Sequence, residues 1–201
     1  MYNTTNATIN PNEFVSNFMP TGINENVTLK EINIKKSTTN KDFLEVIFEN
    51  EAGQTASFTE WKNEKNQWIK TDEDLQNRDN AQFGRLLQII NCYYSTIEDT
   101  TLNTFSDMIT WVKDKLDTQI PTKTKLRLKV VYDKNGYTTV SRNGIYVEPM
   151  NIETSQISIF KKDLLERPIQ ADDESKDPLA GKPSIPETEI KVEATNSDLP
   201  F

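Results

Sequence analysis

Between Lys123 and Tyr132 the chain reads KTKLRLKVVY, and its first eight residues alternate strictly. Leu126, Leu128 and Val130 share one parity, while Lys123, Lys125, Arg127 and Lys129 share the other. A helix would scatter these side chains around its surface, whereas a strand sends successive side chains to opposite faces. The run therefore demands a sheet with one apolar face to bury, and the pattern leaves the cationic face in water. Asp133-Lys134-Asn135-Gly136 follows. Asn-Gly suits the positive-φ positions of a tight hairpin turn. Tyr137 to Val147 is then the returning strand, interrupted at Asn143-Gly144.

The same period marks three strands upstream. Val27 and Leu29 share a parity within Asn26–Lys30, and Ile32 and Ile34 share the opposite one. One extra residue near Lys30-Glu31, a β-bulge, would turn all four inward. Leu44, Val46 and Phe48 line one face of a strand over Phe43–Phe48. After a turn at residues 49–53, Gln54–Trp61 alternates again through Ala56 and Phe58. These three strands form a meander. Ahead of them, residues 1–24 read as a flexible arm rich in Asn and Thr. In it Phe14, Val15, Phe18 and Met19 are placed to dock as a single helical turn.

Residues 62–80 are polar and read as a long loop. Phe83, Leu86, Leu87, Ile90, Tyr93 and Tyr94 recur at helical spacing and predict a helix over 81–95, capped by Asp79 or Asn80. Phe105, Met108, Ile109, Val112 and Leu116 predict a second over 105–117, opened by a capping box of Thr104 and Asp107. Phe83, Tyr93, Tyr94 and Trp111 belong to the core on this reading. Residues 156–170 close the body. The order strand, strand, strand, helical insert, strand, strand is that of a mainly β (α+β) chain folded as a five-stranded OB-type barrel over residues 25–170. A different small barrel or an α+β sandwich is the alternative.

From Ala171 onward the sequence is ADDESKDPLAGKPSIPETEIKVEATNSDLPF, with eight acids, three lysines, four prolines and one aromatic, Phe201. So little apolar surface cannot offset the entropy of ordering, so residues 171–201 are expected to be a disordered acidic tail. The tip, Asp198-Leu199-Pro200-Phe201, is similar to the acidic tail of bacterial and phage single-stranded DNA-binding proteins. It has one acid at the tip, after Asn196 and Ser197, where that family carries a run of aspartates. The body also resembles phage-encoded single-stranded DNA-binding proteins, through Gly22–Leu29 (GINENVTL) and Leu44–Gly53 (LEVIFENEAG). The resemblance implies an OB fold, binding of single-stranded DNA without strong sequence preference, and a role in phage replication or recombination. It also implies a tail that recruits replication or recombination proteins through Asp198, Leu199, Pro200 and Phe201.

Composition narrows the chemistry. The chain has no histidine and one cysteine, Cys92. Ser-His-Asp and Cys-His catalysis are thereby excluded, an internal disulfide cannot form, and a structural zinc site of the usual Cys/His kind is not expected. Glu45, Glu49 and Glu51, or Asp72, Glu73 and Asp74, match no metal-loop spacing, and no Gly-rich phosphate loop is present. No enzymatic activity, cofactor or metal is expected. No apolar run approaches the roughly 20 residues of a membrane span, and the N-terminus lacks the pattern of a secretory signal. A soluble protein of the host cytoplasm, with no membrane partner, is the expectation, and a homo-oligomer is compatible with it.

Binding single-stranded DNA takes cations for phosphates and aromatics for bases. Lys123, Lys125, Arg127 and Lys129 form the best cationic element, against the commoner use of such a face for solvation. Lys35, Lys36 and Lys41 flank the first hairpin. Trp68 stands in a polar loop with Lys65 and Lys70, and Trp61 ends a strand beside Lys62. Tyr132, Tyr137 and Tyr146 are the remaining stacking candidates, and Arg142 is placed for a backbone contact. The alternative functions are a recombination or annealing protein, and a protein–protein adaptor or virion-associated structural protein.

Overall fold

The computed structural model of the protein describes residues 16–168. The first fifteen residues of the arm and the expected tail 171–201, including Asp198, Leu199, Pro200 and Phe201, lie outside the described residues. Among the described residues no helix is long and apolar enough to cross a membrane.

The chain forms β1 (Gly22–Lys36), β2 (Asp42–Glu49), β3 (Thr55–Trp61), α1 (Asp72–Asn91), α2 (Phe105–Asp117), a 3₁₀ turn (Ile120–Thr122), β4 (Leu126–Tyr132), β5 (Thr138–Val140) and β6 (Val147–Pro149). All strand pairings are antiparallel, in the order β3-β2-β1-β4-β5, with β6 also on β4. The long β1 serves two partners, β2 through Thr28–Lys36 and β4 through Gly22–Val27. Its register with β2 slips between Leu29 and Glu31, where the parity change demanded a bulge. That slip leaves Val27, Leu29 and Ile32 all buried, while Ile34, near the strand end, stays 37% exposed. A second slip, between Asn24 and Val27, places Asn26 at φ 57°, a left-handed position that Asn tolerates.

The core lies between the inner sheet face and the helices. Leu44, Val46, Phe48, Phe58, Leu126, Leu128 and Val130 meet Leu86, Ile89 and Ile90 of α1 and Ile109, Val112 and Leu116 of α2. The apolar parities of the strands are thus the buried ones. Phe83, Tyr93, Tyr94 and Trp111 pack half-buried against this core.

Four elements differ from expectation. The helix predicted over 81–95 begins nine residues earlier, at Asp72. Thr71 and Asp74 form a reciprocal capping box, and Asp72, Glu73 and Asp74 sit at the positive end of the helix dipole. Residues 16–21 of the arm are extended rather than helical, while Phe14 and Val15 lie outside the described residues. Met19 is fully buried and its N–H donates to Thr55 O at 3.0 Å, but Phe18 stays exposed. The returning strand is split into β5 and β6, with residues 141–146 looping out between them. Lys129 of β4 spans the gap, donating to Tyr146 O at 2.8 Å and accepting from Ser141 N at 2.9 Å. The fourth difference is the outer face of β4. Residues 150–168 run across it as an irregular strap, tied down by Tyr132 N–H to Leu164 O and Thr21 Oγ1–H to Leu165 O, both 2.7 Å. Gly144, at φ +62°, lies under this strap, where a Cβ would fall 2.7 Å from the Phe160 ring.

No backbone ladder joins β3 to β5 among the described residues. Side chains bridge them instead: Thr139 Oγ1–H of β5 donates to Ser57 O of β3 at 3.2 Å, and the guanidinium of Arg142, just past β5, donates to Thr59 O.

Candidate nucleic-acid interface

The strap corrects the expectation for the cationic face of β4. Lys129 is fully buried. Its ammonium donates to Asn143 O, Ser158 O and Asp163 Oδ2 at 2.8, 2.7 and 3.0 Å, and lies 4.7 Å from the centre of the Phe160 ring. Arg127 bridges Glu25 and Glu148, each at 3.1 Å, and donates to Ile152 O. Lys125 reaches Glu51 at 2.9 Å, and Lys123 ends the 3₁₀ turn, exposed. Alternation in β4 reports only which side chains share a face. Whether that face meets water depends on the strap, and Lys129 is closed to DNA by it. Tyr146 is likewise fully buried, stacked on Phe58 and donating its hydroxyl to Arg85 O at 2.7 Å, so it is a core residue and not a stacking platform.

Several remaining cations hold surface carboxylates: Lys35 with Glu45, Lys36 with Asp42, Lys41 with Glu64 and Lys65 with Asp72. Such exposed pairs stabilise little and yield readily to another anion. Lys70 is exposed just before the α1 cap. Tyr137 is 68% exposed at the β4–β5 turn, and Tyr132 is half-buried.

Trp61, Lys62, Trp68 and Arg142 do come together. They line a cleft of ≈ 700 Å³ between the end of β3, the loop after it and the first turns of α1. Trp61 is stacked on its cross-strand partner Phe43, with ring centroids 4.3 Å apart and planes inclined by 22°. This contact holds the indole in place while 43% of the residue remains exposed. Trp68 is 76% exposed for a local reason. Asn66 Oδ1 accepts the N–H groups of Trp68 and Ile69 at 2.8 and 3.1 Å, and Ile69 is buried. The turn is therefore anchored by its apolar neighbour and its polar side chain, and the indole projects from it. Asn63 fastens the start of this loop to α1 by donating to Asp79 Oδ1 at 2.9 Å.

The cleft gains two cations that the sequence reading did not select, Arg78 and Arg85 of α1. Seven residues apart, they fall on one face of the helix. The spacing was legible, but with the helix begun at 81, Arg78 lay in a loop. Arg85 Nε donates to the buried Glu60 at 2.7 Å, and Gln82 donates to the other oxygen of that carboxylate at 2.8 Å. Arg142 is held by Thr59 O and lies over the Phe58 ring. Lys62 and Arg78 make no ion pair among the described residues. Against these four cations stand Glu60, already paired, and Asp74. Asp74 is held below the usual carboxylate range by the hydrogen bonds of the capping box.

The surface thus offers two ring faces and a local excess of positive charge on a chain of net charge −8. This is the chemistry that holds a flexible polyanion carrying aromatic bases. Among the described residues no three acidic or cysteine side chains gather as a metal-holding group. No protein-family model matches the sequence, and no curated protein matches it.

Proposed function

We propose that this protein binds single-stranded DNA without catalysing a reaction, in the manner of a phage single-stranded DNA-binding protein acting in replication or recombination. The observation that carries this reading is the cleft in which Trp61 and Trp68 stand among Lys62, Arg78, Arg85 and Arg142. Stacking on aromatic faces tolerates any base, and cations track the phosphates, so the pair of features favours single strands over a rigid duplex. The strand order β3-β2-β1-β4-β5, in which the long β1 is shared between β2 and β4, supports an open OB barrel. In this reading the acidic segment recruits replication or recombination proteins through Asp198 to Phe201, as the resemblance implies.

The test is titration of the full chain with an oligothymidylate of about twelve nucleotides, followed by indole fluorescence at several salt concentrations. Binding should quench the fluorescence and weaken as salt rises. Lys62→Ala/Arg78→Ala should weaken binding and flatten the salt slope by about 0.7 for each phosphate no longer neutralised. Both side chains are exposed and in no ion pair among the described residues, so the fold is not at stake. Unaltered affinity and slope would remove the cleft from the interface.

A further inference from the structure

A second, larger cleft adjoins the first. It measures ≈ 940 Å³ and lies between the end of β3, α1 and the segment that leads into α2. Trp61, Lys62 and Asn63 line both clefts, so the end of β3 is the ridge between them. The two differ in charge. Asp42, Glu64 and Asp79 face the larger cleft with only Lys41 and Lys62 against them, and Lys36 and Lys41 are already engaged with Asp42 and Glu64. A phosphate gains nothing there. The lining is suited to a flat, uncharged, hydrogen-bonding group instead. Phe83 and Leu102 supply apolar surface, and Asn80 and Asn103 also line the cleft, both exposed and with side chains that make no hydrogen bond among the described residues. A carboxamide presents a donor and an acceptor side by side, which is what the pairing edge of a base requires.

We infer that the larger cleft is a nucleobase subsite. A strand whose phosphates lie against Lys62 and Arg78 turns an unpaired base past Trp61 into this cleft, where Asn80 and Asn103 meet its Watson–Crick edge. The inference rests on the single-stranded DNA reading and adds a mode of discrimination to it. In a duplex the pairing edge is occupied, so the subsite accepts only unpaired bases. Because a carboxamide can rotate to exchange donor and acceptor, it selects for an unpaired base more than for a particular one.

The experiment compares two probes of equal charge, the oligothymidylate and an abasic strand of the same length, on the full chain. Asn80→Ala/Asn103→Ala should bind the oligothymidylate about fivefold to tenfold more weakly than the wild type, as loss of one or two hydrogen bonds does. It should bind the abasic strand as the wild type does. Ala is the better helix former at position 80, so the variant keeps its fold. If the double variant binds oligothymidylate normally while Lys62→Ala/Arg78→Ala binds it weakly, the subsite is refuted and the single-strand reading stands. Equal weakening toward both probes also refutes it, since the effect is then not on the base. If the wild type binds neither probe, both readings fall together.

Discussion

Lys129→Met should destabilise the protein by about 3–5 kcal/mol, the usual cost of removing one partner from a buried ion pair. Both side chains of the Lys129–Asp163 pair are fully inaccessible, so solvent does not screen what is lost. The variant also strips a donor from the carbonyls of Asn143 and Ser158, which tie the 141–146 loop and the strap to β4. A fall in the urea midpoint at constant m value measures the effect. A loss below about 1 kcal/mol would show that the strap does not depend on this pair.

The partner carboxylate adds a pH dependence. Burial alone raises the Asp163 carboxyl. Donation from Asn143, from the Phe160 N–H and from Lys129 outweighs it, and the group is held below its ordinary 3.8 at about 2. Its folded pKa is depressed, so the contribution is complete above about pH 4 and is lost as pH falls toward 2. A shift of this size amounts to about 2 kcal/mol. In Asp163→Asn that segment of the pH–stability profile should flatten. A profile of undiminished slope between pH 4 and 2 would place the acid sensitivity on other carboxylates.

The second large effect concerns binding. Trp61→Ala and Trp68→Ala should each cost about 1–3 kcal/mol of single-strand affinity, as the loss of one stacked base does. The double variant should lose more than either, though less than the sum if one base spans the two indoles. Trp68 packs against little, so its variant should keep the wild-type urea midpoint. Trp61 braces Phe43, so its variant should unfold earlier as well. Anisotropy of a labelled oligonucleotide is the suitable readout, since the indole signal is itself removed. Wild-type affinity in the double variant would dismiss the cleft as a stacking site.

Trp68 was legible in the sequence because an indole among Lys65, Asn66, Gln67 and Lys70 has no local apolar partner, and the Asn66 turn keeps it out of the core. Trp61 was legible as an indole at a strand end beside Lys62. The register opposite Phe43 makes it both a packed ring and a platform. Arg85 lay within the predicted helix, but its place in the cleft depends on Glu60 of β3, 25 positions away in sequence. Arg78 was missed because the polar first turns of α1 carry no apolar periodicity. The Thr71–Asp74 box was the available signal, of the same kind as the Thr104–Asp107 box that located α2.

What the sequence determined alone was local. Parity decided that Leu126, Leu128 and Val130 share the core face, and the parity change in β1 required a bulge near Glu31. Capping and helical spacing placed α2 at residues 105–117. These follow from backbone geometry within a few residues, which any sheet or helix imposes. The fate of the opposite face was decided by the tertiary structure. Lys129 and Glu148 are buried because the chain returns over β4 after residue 149, from which Asp163 meets Lys129 across 34 positions of sequence. Tyr146 is buried because α1 packs against β6 and offers Arg85 O to its hydroxyl. Charge alternation states that a set of side chains points one way. It carries no information about what distant segment covers them, because the energy of burying a charge depends on partners that only the folded chain brings near.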